Sequence, residues 1–160
     1  MTDPLVIYLH DHLAGSNFAV ELLESWESDY AGESLGVFAT ALRQEVQADQ
    51  AQLSQIIERV GAPPHTIKEL VAWVAEKASR FKLRHEAMPT LGIFEGLETL
   101  ALGILGKLSL WNALAAVSAW DARLRTVDYP TLKQRAQEQH AQVEAVRMKM
   151  AATVFACSRA

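Results

Sequence analysis

The sequence predicts an all-α fold: a four-helix bundle with one extra helix in the connection between its two halves. Three observations point to helices. Apolar residues recur at the alternating three-and-four spacing of a helix face in four long stretches. No segment shows sustained period-two alternation, the mark of a half-buried strand. Helix-ending compositions separate the stretches, at Asp29-Tyr30-Ala31-Gly32, Gly61-Ala62-Pro63-Pro64 and Asp121 to Asp128.

The first helix is expected at residues 4–28. Asp3 supplies a capping carboxylate and Pro4 the first helical position. Leu5, Leu9, His12, Ser16, Ala19, Leu23 and Trp26 then form its inward stripe. A second helix, 33–60, carries Phe38, Leu42, Glu45, Asp49, Ile56 and Val60, widened by Val46, Leu53 and Ile57, so two of its inward positions are acidic. The paired prolines end it, because proline disfavours helical geometry in the residue before it.

Thr66 with Glu69 three residues on reads as a capping box for a shorter helix, 66–85, whose basic residues include Lys77, Arg80, Lys82 and Arg84. Such a cluster is more often a solvated face than an anion site. The central helix follows at 91–118, with Phe94, Leu97, Ala101, Ile104, Leu108, Trp111 and Ala115 on one face and further leucines on the others. A helix apolar nearly all round needs packing partners nearly all round. Glu95, Glu98 and Lys107 interrupt it, so a core helix fits better than a membrane span. Gly92, Gly96, Gly103 and Gly106 each cost about 1 kcal/mol against alanine, and Gly92, Gly96 and Gly103 share a face suited to a close helix contact or to the approach of a ligand. The last helix, 130–156, presents Leu132, Ala136, Gln139, Val143, Val146, Met150 and Thr153.

The chain's 160 residues, half of them hydrophobic, suit one domain (1–160) with its own core. A net charge of −4 disfavours a general binder of nucleic acid or of anionic membranes. The single cysteine, Cys157, allows no intramolecular disulfide, and the N-terminus lacks the basic start and apolar run of a signal peptide, so a cytoplasmic location is expected. The four tryptophans read as packing residues. No G-x-S-x-G elbow surrounds Ser16 or Ser109, and no glycine-rich phosphate loop joins a strand to a helix.

A short loop near residue 31 makes the first two helices antiparallel neighbours, and the 61–90 segment is long enough to carry the chain across the bundle. Two hairpins joined by a crossing connection resemble the ferritin-like superfamily. The segments YLHDHLAGSNFAVELL, AEKASRFKL and GKLSLWNAL look like a bacterial branch of that superfamily without an assigned activity. The resemblance implies a homo-oligomer, a dimer being the expected form.

The superfamily's di-iron members need a glutamate on each of two helices and a Glu-x-x-His pair on each of the other two. Three residues before His10, His12, His65, His85 and His140 stand Ile7, Leu9, Ala62, Lys82 and Gln137, so the pair is absent from this chain. What remains is a candidate buried polar cluster: His12, Glu45, Asp49, Glu98, Gln139 and His140, with Asp11 beside them. Buried carboxylates need a cation, hydrogen bonds or a raised pKa. In one reading Lys77 or Lys107 reaches in and the cluster is a structural ion-pair network. In another, His12, Glu45, Asp49, Glu98 and His140 hold iron or manganese, the metals that hard oxygen ligands favour.

Three functions are therefore expected in competition. The first is a non-enzymatic binding or stress-related accessory protein without a cofactor. The second is a metal-dependent oxidoreductase with an atypical site and Tyr8 or a tryptophan nearby. The third is binding of an apolar ligand at the glycine-rich face, whose sign would be an open cavity beside Gly96 and Gly103.

Overall fold

The computed structural model describes residues 3–61 and 88–156. Among them lie four long helices, α1 (Pro4–Asp29), α2 (Ser34–Val60), α3 (Pro89–Val117) and α4 (Tyr129–Ala156), with one 3-10 turn at Ala122–Leu124, and no strand. The four long helices fall within two residues of the bounds expected from periodicity. The helix expected at 66–85, with Lys77 and Trp73, lies outside the described residues, as do His65 and Cys157.

Local chemistry sets the boundaries. The Asp3 side chain accepts the Leu5 amide at 2.9 Å, and Pro4 follows in the first turn. At the other end of the first hairpin the α1–α2 turn closes on Gly36, where a Cβ would run into the Tyr30 carbonyl. Gly61 ends α2 in the left-handed region, at φ 79°, donating its amide to the Ile57 and Glu58 carbonyls. Asp128 opens α4, accepting the Thr131 amide at 3.2 Å and its hydroxyl at 2.8 Å.

Contacts at the two ends fix the helix directions. Arg123, in the joint after α3, reaches both the Val60 carbonyl at the end of α2 and the Asp3 carboxylate at the start of α1. Arg59 of α2 donates to Thr126 in the same joint at 2.8 Å. At the opposite end Phe94, early in α3, stacks edge-on against Phe155, late in α4, with centroids 5.3 Å apart. So α1 and α4 run one way and α2 and α3 the other: the chain leaves α2 at one end of the bundle and enters α3 at the other. The two hairpins, α1 with α2 and α3 with α4, are packed along their lengths, whereas α1 meets α3 at few points.

The core gathers Leu9, Leu23, Trp26, Leu42, Ile56, Leu97, Leu110, Trp111, Leu114, Leu124 and Val143, all at most 1% exposed. Three expectations are corrected here. The α1 stripe is rotated: Val6, His10 and Leu22 join Leu9, Leu23 and Trp26 inside, while His12, Ser16 and Ala19 are only half-buried. Helix α3 is not covered all round, since Leu102 is 64% exposed and Leu105 also faces out. Trp120 is no packing residue, lying exposed just past α3. By length and composition α3 also suffices to cross a membrane; in this fold its buried side packs on α4 and, more sparsely, on α1.

Candidate functional site

Asp49 sits at the centre of the bundle, on the inward face of α2, 3% exposed. A carboxylate there must find partners, and three side chains provide them. Lys107 of α3 donates to Asp49 Oδ2 at 2.6 Å and also to Gln139 Oε1 of α4. Gln139 in turn donates through Nε2 to the same Asp49 oxygen at 3.1 Å. Arg135, one turn before Gln139 on the same face of α4, brings Nη2 to 2.9 Å from Asp49 Oδ1 and donates to the Glu45 carbonyl. Burial pushes the Lys107 ammonium below the ordinary lysine value, and Asp49 opposes that shift by attraction and hydrogen bonding. One carboxylate thus ties α2 to both helices of the second hairpin.

The other residues of the expected cluster lie apart from this knot or at its edge. Glu45 is half-buried one turn from Asp49, adding negative charge that favours charged Lys107. His12 is half-buried on α1 with its ring edge-on to Tyr8, centroids 4.7 Å apart. Glu98 is exposed on α3, where its charge favours charged Arg147. His140 is half-buried on α4 near Glu144, whose carboxyl is held low by its hydrogen bond to Arg147 and, more weakly, by His140. Among the described residues no three His, Cys, Asp or Glu side chains come together as a metal site would require. The ligand set expected for iron or manganese therefore does not converge. Asp49 turns its oxygens to two cations and an amide, while Glu98 and His140 stand on other faces. Lys77 lies outside the described residues.

Beside this knot the bundle opens. A half-open groove of about 1070 Å³ runs between α1 and α3, floored by Leu42, Val46, Asp49 and Leu53 of α2. Its walls are stripped of side chains at Gly15 on α1 and at Gly103 and Gly106 on α3, where an added Cβ would meet nothing within 4 Å. The close helix contact expected at Gly103 is therefore not made, because that position faces the gap between the helices; Gly92 and Gly96, nearer the start of α3, are buried. Apolar surface from Phe18, Ala19, Leu100, Ile104 and Leu110 dominates the lining. Glu95 to Trp111 spans about 24 Å of wall at 1.5 Å per residue.

The polar groups of the groove are few. Asp11 and His12 lie toward the end of the joint, Glu95 and Glu98 toward the other, and Lys107 and Asp49 form part of the floor. Partial burial lowers the His12 pKa, with Asp11 opposing. Gln50 of α2 braces the α1 side, donating to Ser16 at 2.9 Å and Asn17 at 3.0 Å. Sequence reasoning missed Arg135 and Gly15. Arg135 stands four residues before Gln139 and so shares its face, and Gly15 is a lone glycine within an otherwise unbroken helical pattern; both signals were present. Comparisons with family models, with curated proteins and with solved structures give no match to this chain.

Proposed function

We propose that this chain is a non-enzymatic binding protein of ferritin-like architecture, whose groove between α1 and α3 holds an apolar small molecule. The observation that carries this reading is the groove itself, a volume of about 1070 Å³ with mainly apolar walls opened by glycines. A helix interior loses about 1 kcal/mol at each such glycine relative to alanine, and at Gly15, Gly103 and Gly106 no neighbouring group occupies the space gained. Pockets for small molecules have this character, concave and largely apolar with a small number of placed polar groups. The helix directions support the ferritin-like reading. The lack of any Glu-x-x-His pair in the sequence and the commitment of Asp49 to Lys107, Arg135 and Gln139 support a bundle without that superfamily's di-iron chemistry.

The test is titration with N-phenyl-1-naphthylamine, an uncharged probe that brightens in apolar surroundings. The wild type is expected to bind one equivalent. Gly103→Leu, which places a branched side chain in the opening, should abolish binding while the helical circular dichroism is kept. No binding by the wild type, or equal binding by the filled variant, would remove this reading.

A further inference from the structure

The floor of the groove contains an amine. Lys107 stands on the α3 wall and reaches across to α2, where Nζ donates to Asp49 Oδ2 at 2.6 Å; both residues line the groove. The Lys107 side chain keeps 16% of its surface open, against 3% for Asp49. Its ammonium has three hydrogens, of which Asp49 and Gln139 accept two. Burial pushes that ammonium below the ordinary lysine value, with Asp49 opposing, so the neutral amine is reached more readily than at the surface. A lysine desolvated in apolar surroundings is a group that condenses with carbonyl compounds.

The ion pair selects the kind of carbonyl. An acylating ligand would turn the ammonium into a neutral amide and take one cation from buried Asp49, and breaking a buried pair from one side is strongly destabilising. An aldehyde keeps the charge, because ammonium and aldehyde give an iminium ion and water. We propose that Lys107 captures an elongated apolar aldehyde as an iminium ion whose charge Asp49 holds, with the apolar body lying along Gly15, Gly103 and Gly106. The ammonium first lends a proton to Asp49 along their hydrogen bond. The freed nitrogen pair then forms the C–N bond while the carbonyl π pair moves to oxygen. That oxygen takes one proton from nitrogen and the lent one from Asp49, and it leaves as water as the nitrogen pair closes the C=N bond. No oxidant or further reactant is needed, and the reverse reaction releases the aldehyde. This assignment rests on the groove being a ligand site and adds how the ligand is held.

The experiment incubates the full chain with 6-dimethylamino-2-naphthaldehyde, an uncharged dye whose absorption moves to longer wavelength as a protonated imine. Borohydride then fixes any imine as a secondary amine, and mass spectrometry of the digest locates it. N-phenyl-1-naphthylamine, without an aldehyde, reports on the groove alone. Lys107 should be labelled at least about tenfold over exposed Lys149, as holding a reactant beside its target does. The shifted absorption should persist in mildly alkaline buffer, and excess N-phenyl-1-naphthylamine should block the label. Lys107→Arg keeps a cation for Asp49 and removes the reactive amine; it should lose the label and still bind N-phenyl-1-naphthylamine. If N-phenyl-1-naphthylamine binds but Lys107 is labelled no more than Lys149, the covalent assignment fails and the apolar groove stands. If Gly103→Leu excludes N-phenyl-1-naphthylamine yet leaves the Lys107 label unchanged, the aldehyde does not use the groove and the assignment again fails. If neither probe binds the wild type, both readings fall together.

Discussion

His12 shows how one side chain takes its chemistry from its depth in the fold. Half-buried at the groove, its imidazole is held below the ordinary value of about 6.5 because burial disfavours the charged ring, an effect the nearby Asp11 only partly offsets. A base whose pKa is depressed by folding binds fewer protons folded than unfolded between that depressed value and about 6.5. Its effect is therefore a loss of stability as pH falls through that window, with none above it. Urea midpoints for the wild type should decline over this range, and His12→Gln should flatten the decline. An identical pH profile in the variant would show that His12 is not the group responsible. Glycines are likewise decided by surroundings. At Gly103 an added methyl group meets open space, so Gly103→Ala should stabilise by about 1 kcal/mol. At Gly36 the same change drives a Cβ into the Tyr30 carbonyl and should cost about 1–3 kcal/mol. Thermal unfolding of the two variants should move the midpoint in opposite directions; a shift of the same sign in both would contradict this account of the two sites.

At the scale of elements, the Asp49 knot links α2 to both helices of the second hairpin. A carboxylate shared by Lys107, Gln139 and Arg135 adds directional, charge-assisted contacts to the apolar packing of the core. Asp49→Ala removes the anion and leaves two cations facing each other over the core. A loss of about 3–5 kcal/mol is expected, the cost of breaking a buried ion pair from one side. Asp49→Leu combined with Lys107→Met removes both charges together and should recover much of that loss. Denaturant unfolding checks this: a double variant as unstable as the single one would mean that the pair is not what its neighbours depend on. The sequence contained most of this arrangement. Asp49 and Gln139 were legible as inward polar positions because helical periodicity assigns each to a face, and Lys107 as one of two lysines that could reach in to them. Which members of the wider cluster would meet was not legible, because nothing in a sequence says which faces of α2, α3 and α4 meet at the same height. The Glu98 and His140 expectations failed to converge with Asp49 for that reason.

At the scale of the molecule, the described residues form two hairpins packed along their lengths that meet each other more sparsely. α3 is the most apolar of the described long helices, yet it turns Leu102, Leu105, Gly103 and Gly106 away from the core. Its glycines were visible in the sequence, with two readings available: a tight helix contact, or room for something else. Composition and spacing are the same in both cases. Only the tertiary arrangement separates them: Gly103 faces open space while Gly92 and Gly96 are enclosed.

The sequence by itself determined the helices, their ends and most of their inward faces, because these rest on local chemistry: the 3.6-residue period, the Asp3 cap with Pro4, the glycine at the end of α2, and the polar joint before α4. It also determined that no Glu-x-x-His pair exists. The tertiary structure alone decided that the α1 face is rotated toward His10, that Asp49 is matched by Lys107 and Arg135, and that the gap between α1 and α3 is a groove. Those outcomes depend on the height and angle at which helices distant in the chain pass one another. Such relations are set by the summed packing of the whole core, and no local stretch of sequence encodes them.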